Sequence, residues 1–463
     1  MKINFRKSKI VGKIADNKSE IPFLESVFEA GVDVAWLNTA HQGVEDTKMV
    51  IERIRSVAPN VGIMIDTKGP EVRTKNVEEA FEVKAGDILY ITGNLEHRSE
   101  GAHVVHVDYP NFHNEVPVGS LVLYDDASLG FMVLEKHDDT LKCVVQNGGT
   151  IKSKKSINTP SVHIELPALT EKDKSFIHFC GAHNVEYIIH SFMRSKQDID
   201  DIKAITAQYP GYAPKIVAKI ENRQGFDNLE EILDNCDGLM VARGDLGAEV
   251  PLMEMPFMQK KMIEMAVKKG KSCIVATQVL DSMIKNPRPT RAEVLDVGNA
   301  VLEGSGAVSM SGETAYGDYP LEAINLMSDI MTYTEAKFDD LTHHQFVPAT
   351  TAPEFALAKQ IADEAKQNGS KAIVAAVKDP SLYYALSAWR PSCVVLAGVN
   401  SQMDIYFLSL YYAIRSVFSE KPTIADVKSK IDMSALSPED KVTVVTDETG
   451  TVTFKTVAVK DLA

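Results

Sequence analysis

The chain is poor in the features that mark whole classes of protein. Its five cysteines, Cys143, Cys180, Cys236, Cys273 and Cys393, are widely spaced, odd in number and without a CxxC pair. That argues against a disulfide framework or a structural zinc site and for a reducing, cytoplasmic compartment. No apolar run approaches the roughly 20 residues of a membrane span. The N-terminal stretch MKINFRKSKIVGKIADNKSE is basic but lacks the apolar core of a secretory signal. Positive charge is in deficit, with 49 Lys and Arg against 64 Asp and Glu and a formal net charge of −15. Neither nucleic acid nor a membrane surface is therefore expected as a partner, although a locally basic pocket for an anionic substrate remains open. There is no GxxxxGK[ST] loop and no GxGxxG after a strand. Any nucleotide is bound without the two common phosphate-loop devices.

What is present looks globular. Hydrophobic residues make up 44% and charged residues 24%, which excludes disorder, collagen and coiled coil as whole-chain descriptions. At about 150 residues per domain, 463 residues predict two to four domains. Short β-rich apolar runs alternate with amphipathic segments. The runs SKIVGKIA, VDVAWLN and VGIMIDT lack polar alternation and read as buried parallel strands. From about Arg73 to Pro160 the rhythm changes to short alternating runs with turn signals (AFEV, DILYI, HVVHV, LVLYDD, GFMVLE, LKCVVQNGG), which suits a small all-β insert. The β/α rhythm then returns with VEYIIHSFM, PKIVAKIE, DGLMVARGD, SCIVATQ and GAVSMSG. Three strands before the insert and five after it favour a closed eight-stranded barrel over an open sheet. Beyond a predicted linker, DDLTHHQFVPATTAPEF, lie the strands KAIVAAV, SCVVLAGV and KVTVVTD, with FALAKQIADEAKQNG and MDIYFLSLYYAIRSVF as helices. The expected domains are a barrel over 1–72 and 161–338, the insert over 73–160, and a C-terminal α/β domain over 339–463.

Chemistry in such a barrel belongs at the C-terminal ends of the strands. The third strand ends in DTKGPEVRT, which carries Asp66, Thr67, Lys68, Glu71 and Arg73. The fifth ends in VAKIEN, where Lys219 and Glu221 share one side of the strand. The sixth ends in VARGDLG, with Arg243, Gly244 and Asp245, and the seventh in VATQ, with Thr277. Glu221 and Asp245 suit a hard cation such as Mg²⁺, which keeps waters and substrate oxygens in its shell. Lys219 beside them could neutralise a phosphoryl group or an enolate. Taken singly, Lys219–Glu221 also reads as a rim ion pair, Asp245 as a helix N-cap and Thr277 as a structural hydroxyl. Their coincidence on one barrel face carries the functional reading, because burial normally forbids such a gathering of charge. His103 and His106 face opposite sides of a strand, His343 and His344 sit in the linker, and the methionines of MEMPFMQKKMIEM read as helix packing.

The motifs DTKGPEVRT, KIENRQG, MVARGDLG, ATQVLDSM with NPRPTRAEVLDV, and MSGETAYGDYP, in this order, resemble the pyruvate kinase family over about residues 8 to 338. The resemblance implies a TIM (β/α)8 barrel with an inserted small β-barrel lid domain and a C-terminal α/β domain. It implies Mg²⁺-dependent transfer of a phosphoryl group from phosphoenolpyruvate to ADP in glycolysis, giving pyruvate and ATP. It also implies a cytoplasmic homotetramer. By resemblance Lys219 stabilises the moving phosphoryl group and the enolate, and Thr277 assists protonation. Gly244, Asp245 and Thr277 meet the substrate. Glu221 and Asp245 hold Mg²⁺ or Mn²⁺, Arg73 and Lys155 meet the nucleotide, and Asn38, Asp66 and Thr67 match potassium ligands, with Glu71 as in potassium-dependent members.

The sequence departs from the family at defined places. AWLNTAHQG replaces ARLNFSHG, so Trp36 stands where the family has an arginine that contacts the phosphoryl group. Arginine to tryptophan removes a fixed charge and a five-donor fork. Ala40 replaces a serine that binds potassium, so K⁺ use is expected only with an altered ligand set. Tyr316 replaces a lysine, and VKDPSLYYAL replaces the loop that binds sugar phosphates in many members. Two alternatives follow. One is a catalytically weakened paralogue that binds phosphoenolpyruvate or nucleotide. The other is a Mg²⁺-dependent enolate enzyme acting on a 2-oxo acid without nucleotide.

Overall fold

A computed structural model describes residues 3–39, 42–77, 79–98, 103–160, 162–337, 347–448 and 450–462. Eight parallel strands close into a barrel: Lys9–Lys13, Val34–Asn38, Gly62–Thr67, Tyr187–His190, Lys215–Ile220, Gly238–Ala242, Ser272–Ala276 and Ala307–Met310. The first pairs with both the second and the last, so the sheet has no edge. Buried on both faces, these strands read in the sequence as unbroken apolar runs. Val11, Val34, Met64, Val217, Met240 and Ile274 belong to the inner core, while their strand neighbours pack on the surrounding helices.

The helices end where the chain tells them to. Thr170 caps Glu171–His183 in a capping box with Asp173, and Asn184 closes it in the left-handed region at φ 50°. Thr290 and Glu293 cap Arg291–Glu303 in the same way. Asp173 has a second task. Its carboxylate accepts the Lys68 N–H at 2.7 Å, which pins the loop after the third strand. In that loop Gly69 has φ 71°, and a Cβ there would lie 2.3 Å from the Ser191 carbonyl oxygen, so no other residue fits.

The insert is a second closed barrel of seven strands. Five of them match the expected runs. AFEV instead forms a strand, Phe81–Val83, that pairs outside this barrel with Gly149–Ile151. The sequence reading missed Val72–Lys75 and Ser156–Asn158, which pair with each other where the chain leaves and re-enters the large barrel. His103 is exposed and His106 buried, as their spacing in one strand requires.

The C-terminal region is a five-stranded sheet in the order Ile414–Phe418, Val394–Val399, Ala372–Ala376, Lys441–Glu448 and Thr451–Ala458. The expected long helix over MDIYFLSLYYAIRSVF is corrected here. It is helical only over Gln402–Leu408, and Ile414–Phe418 is an edge strand beside Val394–Val399. Ala413, at φ 65°, makes the break. VKDPSLYYAL folds into the helix Ser381–Ala388, whose Tyr383 hydroxyl donates to the Gly398 carbonyl at 2.8 Å. The predicted linker is shortened by a helix starting at Pro353, and His343 and His344 lie outside the described residues. Among the described residues no helix is long and apolar enough to cross a membrane, and all five cysteines are unpaired and buried.

The sheet seals the N-terminal end of the large barrel. The Tyr187 hydroxyl donates to the Phe407 carbonyl, and Lys9 Nζ to the Ile414 carbonyl. Asp33 is the centre of this joint. It binds Arg6 Nη2 at 2.5 Å, pairs with Arg415, and lies 4.0 Å from Lys9 Nζ. Burial opposes its charge, but Arg415, Arg6 and Lys9 together hold its carboxyl well below the usual range. Removing one member of a buried ion group strands the others, at a cost of about 3–5 kcal/mol. Asp33→Ala should therefore lower the thermal midpoint sharply, while Lys174→Ala, which breaks an exposed pair with Glu171, should leave it nearly unchanged. Equal midpoints in a calorimetric scan would contradict this.

Candidate active site

At the C-terminal rim of the large barrel, the third, fourth and fifth strands bring four polar side chains together. Lys219, 8% exposed, donates to Ser191 Oγ at 2.7 Å and lies 3.4 Å from Asp66 Oδ2 and 3.0 Å from Glu221 Oε1. Ser191 in turn donates to Asp66 Oδ1 at 2.9 Å. Glu221 Oε2 accepts the Phe192 N–H at 2.7 Å, from a residue in the left-handed region at φ 54°. Glu221 Oε1 is buried and accepts no hydrogen bond, so the Lys219 charge is what it meets. Burial works against the Lys219 ammonium, but Asp66, Glu221 and Asp245 hold it well above the ordinary lysine value. For Glu221 burial dominates and pushes the carboxyl up, Lys219 pulls it down, and Asp245 pushes it up again.

The sixth and seventh strands add the second half. Gly244 and Asp245 lie in the first turn of the helix Arg243–Glu249. The Asp245 carboxylate is half-buried and makes no hydrogen bond or ion pair among the described residues. Thr277 follows its strand at φ 75°, a conformation that a β-branched residue rarely accepts. Arg243 holds it there: Nη2 donates to the Thr277 carbonyl at 2.7 Å, and Nη1 is fixed by Asp296 Oδ1 at 2.8 Å. Gly244 is the other support, since a Cβ there would lie 2.9 Å from Thr277 Cγ2. A strained backbone of this kind, clamped from two sides, is typical of a functional position.

Trp36 ends up inside the barrel, 6% exposed, in the inner core. Two ammonium groups lie over its ring, Lys13 Nζ at 5.2 Å and Lys219 Nζ at 5.8 Å from the centroid. Asn38 is in register with Asp66 across the second and third strands. The Thr67 hydroxyl contacts His190 Nδ1 at 2.8 Å instead, on the other side of the strand from Asp66. His190 is fully buried, and desolvation lowers its pKa to about 4, so it stays neutral. Ala40 lies outside the described residues.

The insert supplies the far wall. Arg73 clasps Glu71 with Nε at 2.8 Å and Nη2 at 2.7 Å, and Lys155 Nζ meets Asp125 at 2.9 Å. Both cations are about one-third exposed, so neither pair is strong in water. Asn158 donates to Glu249 Oε1 at 2.7 Å, tying the insert to the helix that carries Asp245. Between them lies a cavity of about 520 Å³, lined in part by Glu71, Asn158, Asn222, Arg223 and Glu249.

No group of three or more His, Cys, Asp or Glu residues poised for a metal occurs among the described residues. Glu221 and Asp245 nevertheless fit a hard divalent ion. Both present carboxylate oxygens without a hydrogen-bond donor, and a two-carboxylate site leaves coordination positions for water and substrate.

A family model described as the barrel domain of pyruvate kinase matches residues 5–324. The chain belongs to the pyruvate kinase family. The pyruvate kinase of Borreliella burgdorferi is 40% identical over 412 residues, covering 88% of this chain and 85% of that protein. That of Lactobacillus delbrueckii subsp. bulgaricus is 36% identical over 433 residues, 91% of this chain and 73% of the other. A crystal structure of a pyruvate kinase from Cryptosporidium parvum superposes with a TM-score of 0.89 at 33% identity, covering 98% of this chain and 96% of that one. The resemblance, the three-part architecture and the phosphotransferase class thus hold for this chain.

Three residues escaped the sequence reading: Ser191, which bridges Asp66 and Lys219; Asp296, which anchors the already named Arg243 behind Thr277; and Lys13, which faces Trp36. Ser191 and Lys13 sit at strand ends, the signal that found Lys219, but neither lies in a recognised motif. Tyr316 is 65% exposed.

Gly244→Ala should press a methyl group onto Thr277. Overpacking costs about 1–3 kcal/mol, and if this falls on the active geometry kcat drops by about tenfold to a hundredfold. The melting temperature should fall by only a few degrees. Unchanged kcat would show that Thr277 has room to move.

Proposed function

We propose that this chain transfers the phosphoryl group of phosphoenolpyruvate to ADP, giving pyruvate and ATP, with Mg²⁺ or Mn²⁺ held by Glu221 and Asp245. The observation that supports this most directly is the buried Lys219 ammonium, kept charged among Asp66, Glu221 and Asp245. The divalent ion, when bound, supplies Lewis-acid polarisation of the substrate oxygens. The side chains do the rest. Lys219 offers its charge to the departing phosphoryl group and to the enolate left behind. The opening turn of Arg243–Glu249, with Gly244 and Asp245, receives the substrate carboxylate. Thr277, held from behind by Arg243, delivers its hydroxyl to the enolate and assists protonation at carbon.

On this reading Arg73 and Lys155 exchange their carboxylate partners Glu71 and Asp125 for nucleotide phosphates, and the insert over 73–160 acts as a lid that excludes water. Asn38 and Asp66 would contribute side chains to a monovalent-cation site. Thr67 could contribute only its carbonyl, since His190 takes its hydroxyl. A cytoplasmic location agrees with five unpaired cysteines. A homo-oligomer agrees with the exposed Leu252, Met253 and Phe257, which are 73%, 84% and 67% exposed.

Two measurements test these statements. In a coupled assay with phosphoenolpyruvate, ADP and Mg²⁺, pyruvate should form and a chelator should stop it. Lys219→Met should lose about a hundredfold to a thousandfold in kcat, the range for removing one transition-state charge donor. Absence of turnover in the wild type at millimolar substrate would reject the proposal. In size-exclusion chromatography the chain should elute as a multimer and Phe257→Glu should elute later, as a smaller species; a monomeric wild type would remove the oligomer from the proposal.

A further inference from the structure

The charges around the site do not balance for a phosphorylated acid. Asp66, Glu221 and Asp245 bring three carboxylates to the rim, and Lys219 is already committed to Asp66, Ser191 and Glu221. Among the described residues, a further ammonium that interacts with this group is that of Lys13. Asp66 and Lys219 both act on it electrostatically. Among the described residues it has no hydrogen-bond acceptor and no carboxylate within ion-pair distance. A partly buried ammonium in that condition is costly unless something else meets it.

Its position is built rather than accidental. Lys13 ends the first barrel strand in register with Trp36 on the second. Its carbonyl accepts the Thr314 hydroxyl at 2.8 Å, which fixes the strand end. Its stem leads to the Trp36 ring, where the ammonium lies 5.2 Å from the centroid and the Lys219 ammonium 5.8 Å from the same centroid. The indole supplies that face and no hydrogen bond, for its N–H is buried without an acceptor. Burial lowers the Lys13 pKa, and an arriving anion would raise it again.

We infer that Lys13 is the second phosphoryl-binding cation of this site, held over Trp36 until the phosphate of the substrate replaces the ring as its partner. The charge that an arginine on the second strand would bring is carried here by a lysine on the first. Trp36→Arg alone would then add a third cation beside two that already repel.

This inference rests on the phosphoenolpyruvate reading, and its test separates the two. The Mg²⁺-loaded protein is titrated calorimetrically with 2-phosphoglycolate, a phosphorylated acid with no transferable enol, and with oxalate, which has the carboxylate end but no phosphoryl group. Lys13→Met keeps the stem and removes the charge. It should weaken 2-phosphoglycolate by about tenfold to a hundredfold, the range for a lost hydrogen bond to a charged group, and leave oxalate unchanged. Lys13→Met combined with Trp36→Arg should recover the phosphoglycolate affinity, and Trp36→Arg alone should not improve it. If Lys13→Met does not fold, Lys13→Gln carries the same comparison. Wild-type affinity for 2-phosphoglycolate in Lys13→Met, equal loss of both ligands, or a double variant no better than the single one overturns the assignment of Lys13. A wild type that binds neither ligand overturns the phosphotransferase reading and Lys13 with it.

Discussion

A lysine ammonium buried at the mouth of a closed barrel is the constraint on which the rest depends. Left alone at that depth it would lose its proton or force the site open. Lys219 does neither because three strands that are consecutive around the barrel each deliver one partner: Asp66 from the third, Ser191 from just past the fourth, Glu221 from the fifth. Only closure puts these ends side by side. In return, the positive charge permits two acids to remain at the rim, as the proposed divalent-ion site requires. The left-handed turn at Phe192 and the glycine at position 69 are local costs of holding this group together.

The two outer domains serve the two ends of the barrel differently. The insert meets the C-terminal rim through a few polar contacts, such as Asn158 with Glu249 and the partly exposed pair of Arg73 with Glu71. Contacts of that kind can be exchanged at little cost, as a covering that opens and shuts requires. The C-terminal sheet meets the opposite end through apolar packing continuous with the barrel interior and through the buried Asp33 group. Chemistry is at the loose end and stability at the fixed one.

Much of this was legible in the sequence because strands buried on both faces announce themselves as apolar runs. Three such runs before the insert and five after it match the strands found. The same property explains the clearest failure. YAIRSVF is a short run with only Arg415 and Ser416 polar, and in so few residues periodicity cannot tell a strand from a helix turn; the positive φ at Ala413 and pairing with Val394–Val399 decided it. Lys219, Glu221 and Asp245 drew notice because the end of a barrel strand is where charge is out of place, and the structure brings Lys219 and Glu221 within 3.0 Å of each other. Lys13 satisfies the same rule and was missed, because its strand end carries no acid beside it and its meaning comes from Trp36 across the sheet. The hold of Arg243 on Thr277 joins residues on two strands and was invisible for the same reason.

The joint around Asp33 has a temporal consequence. Arg6 meets Asp33 only 27 positions away, but Arg415 and Ile414, which hold Arg6 and Lys9 from the other side, lie 409 and 405 positions further along. The joint is therefore complete only when these distant segments have met. Contacts this non-local must close a long loop, so the joint belongs among the slow steps of folding.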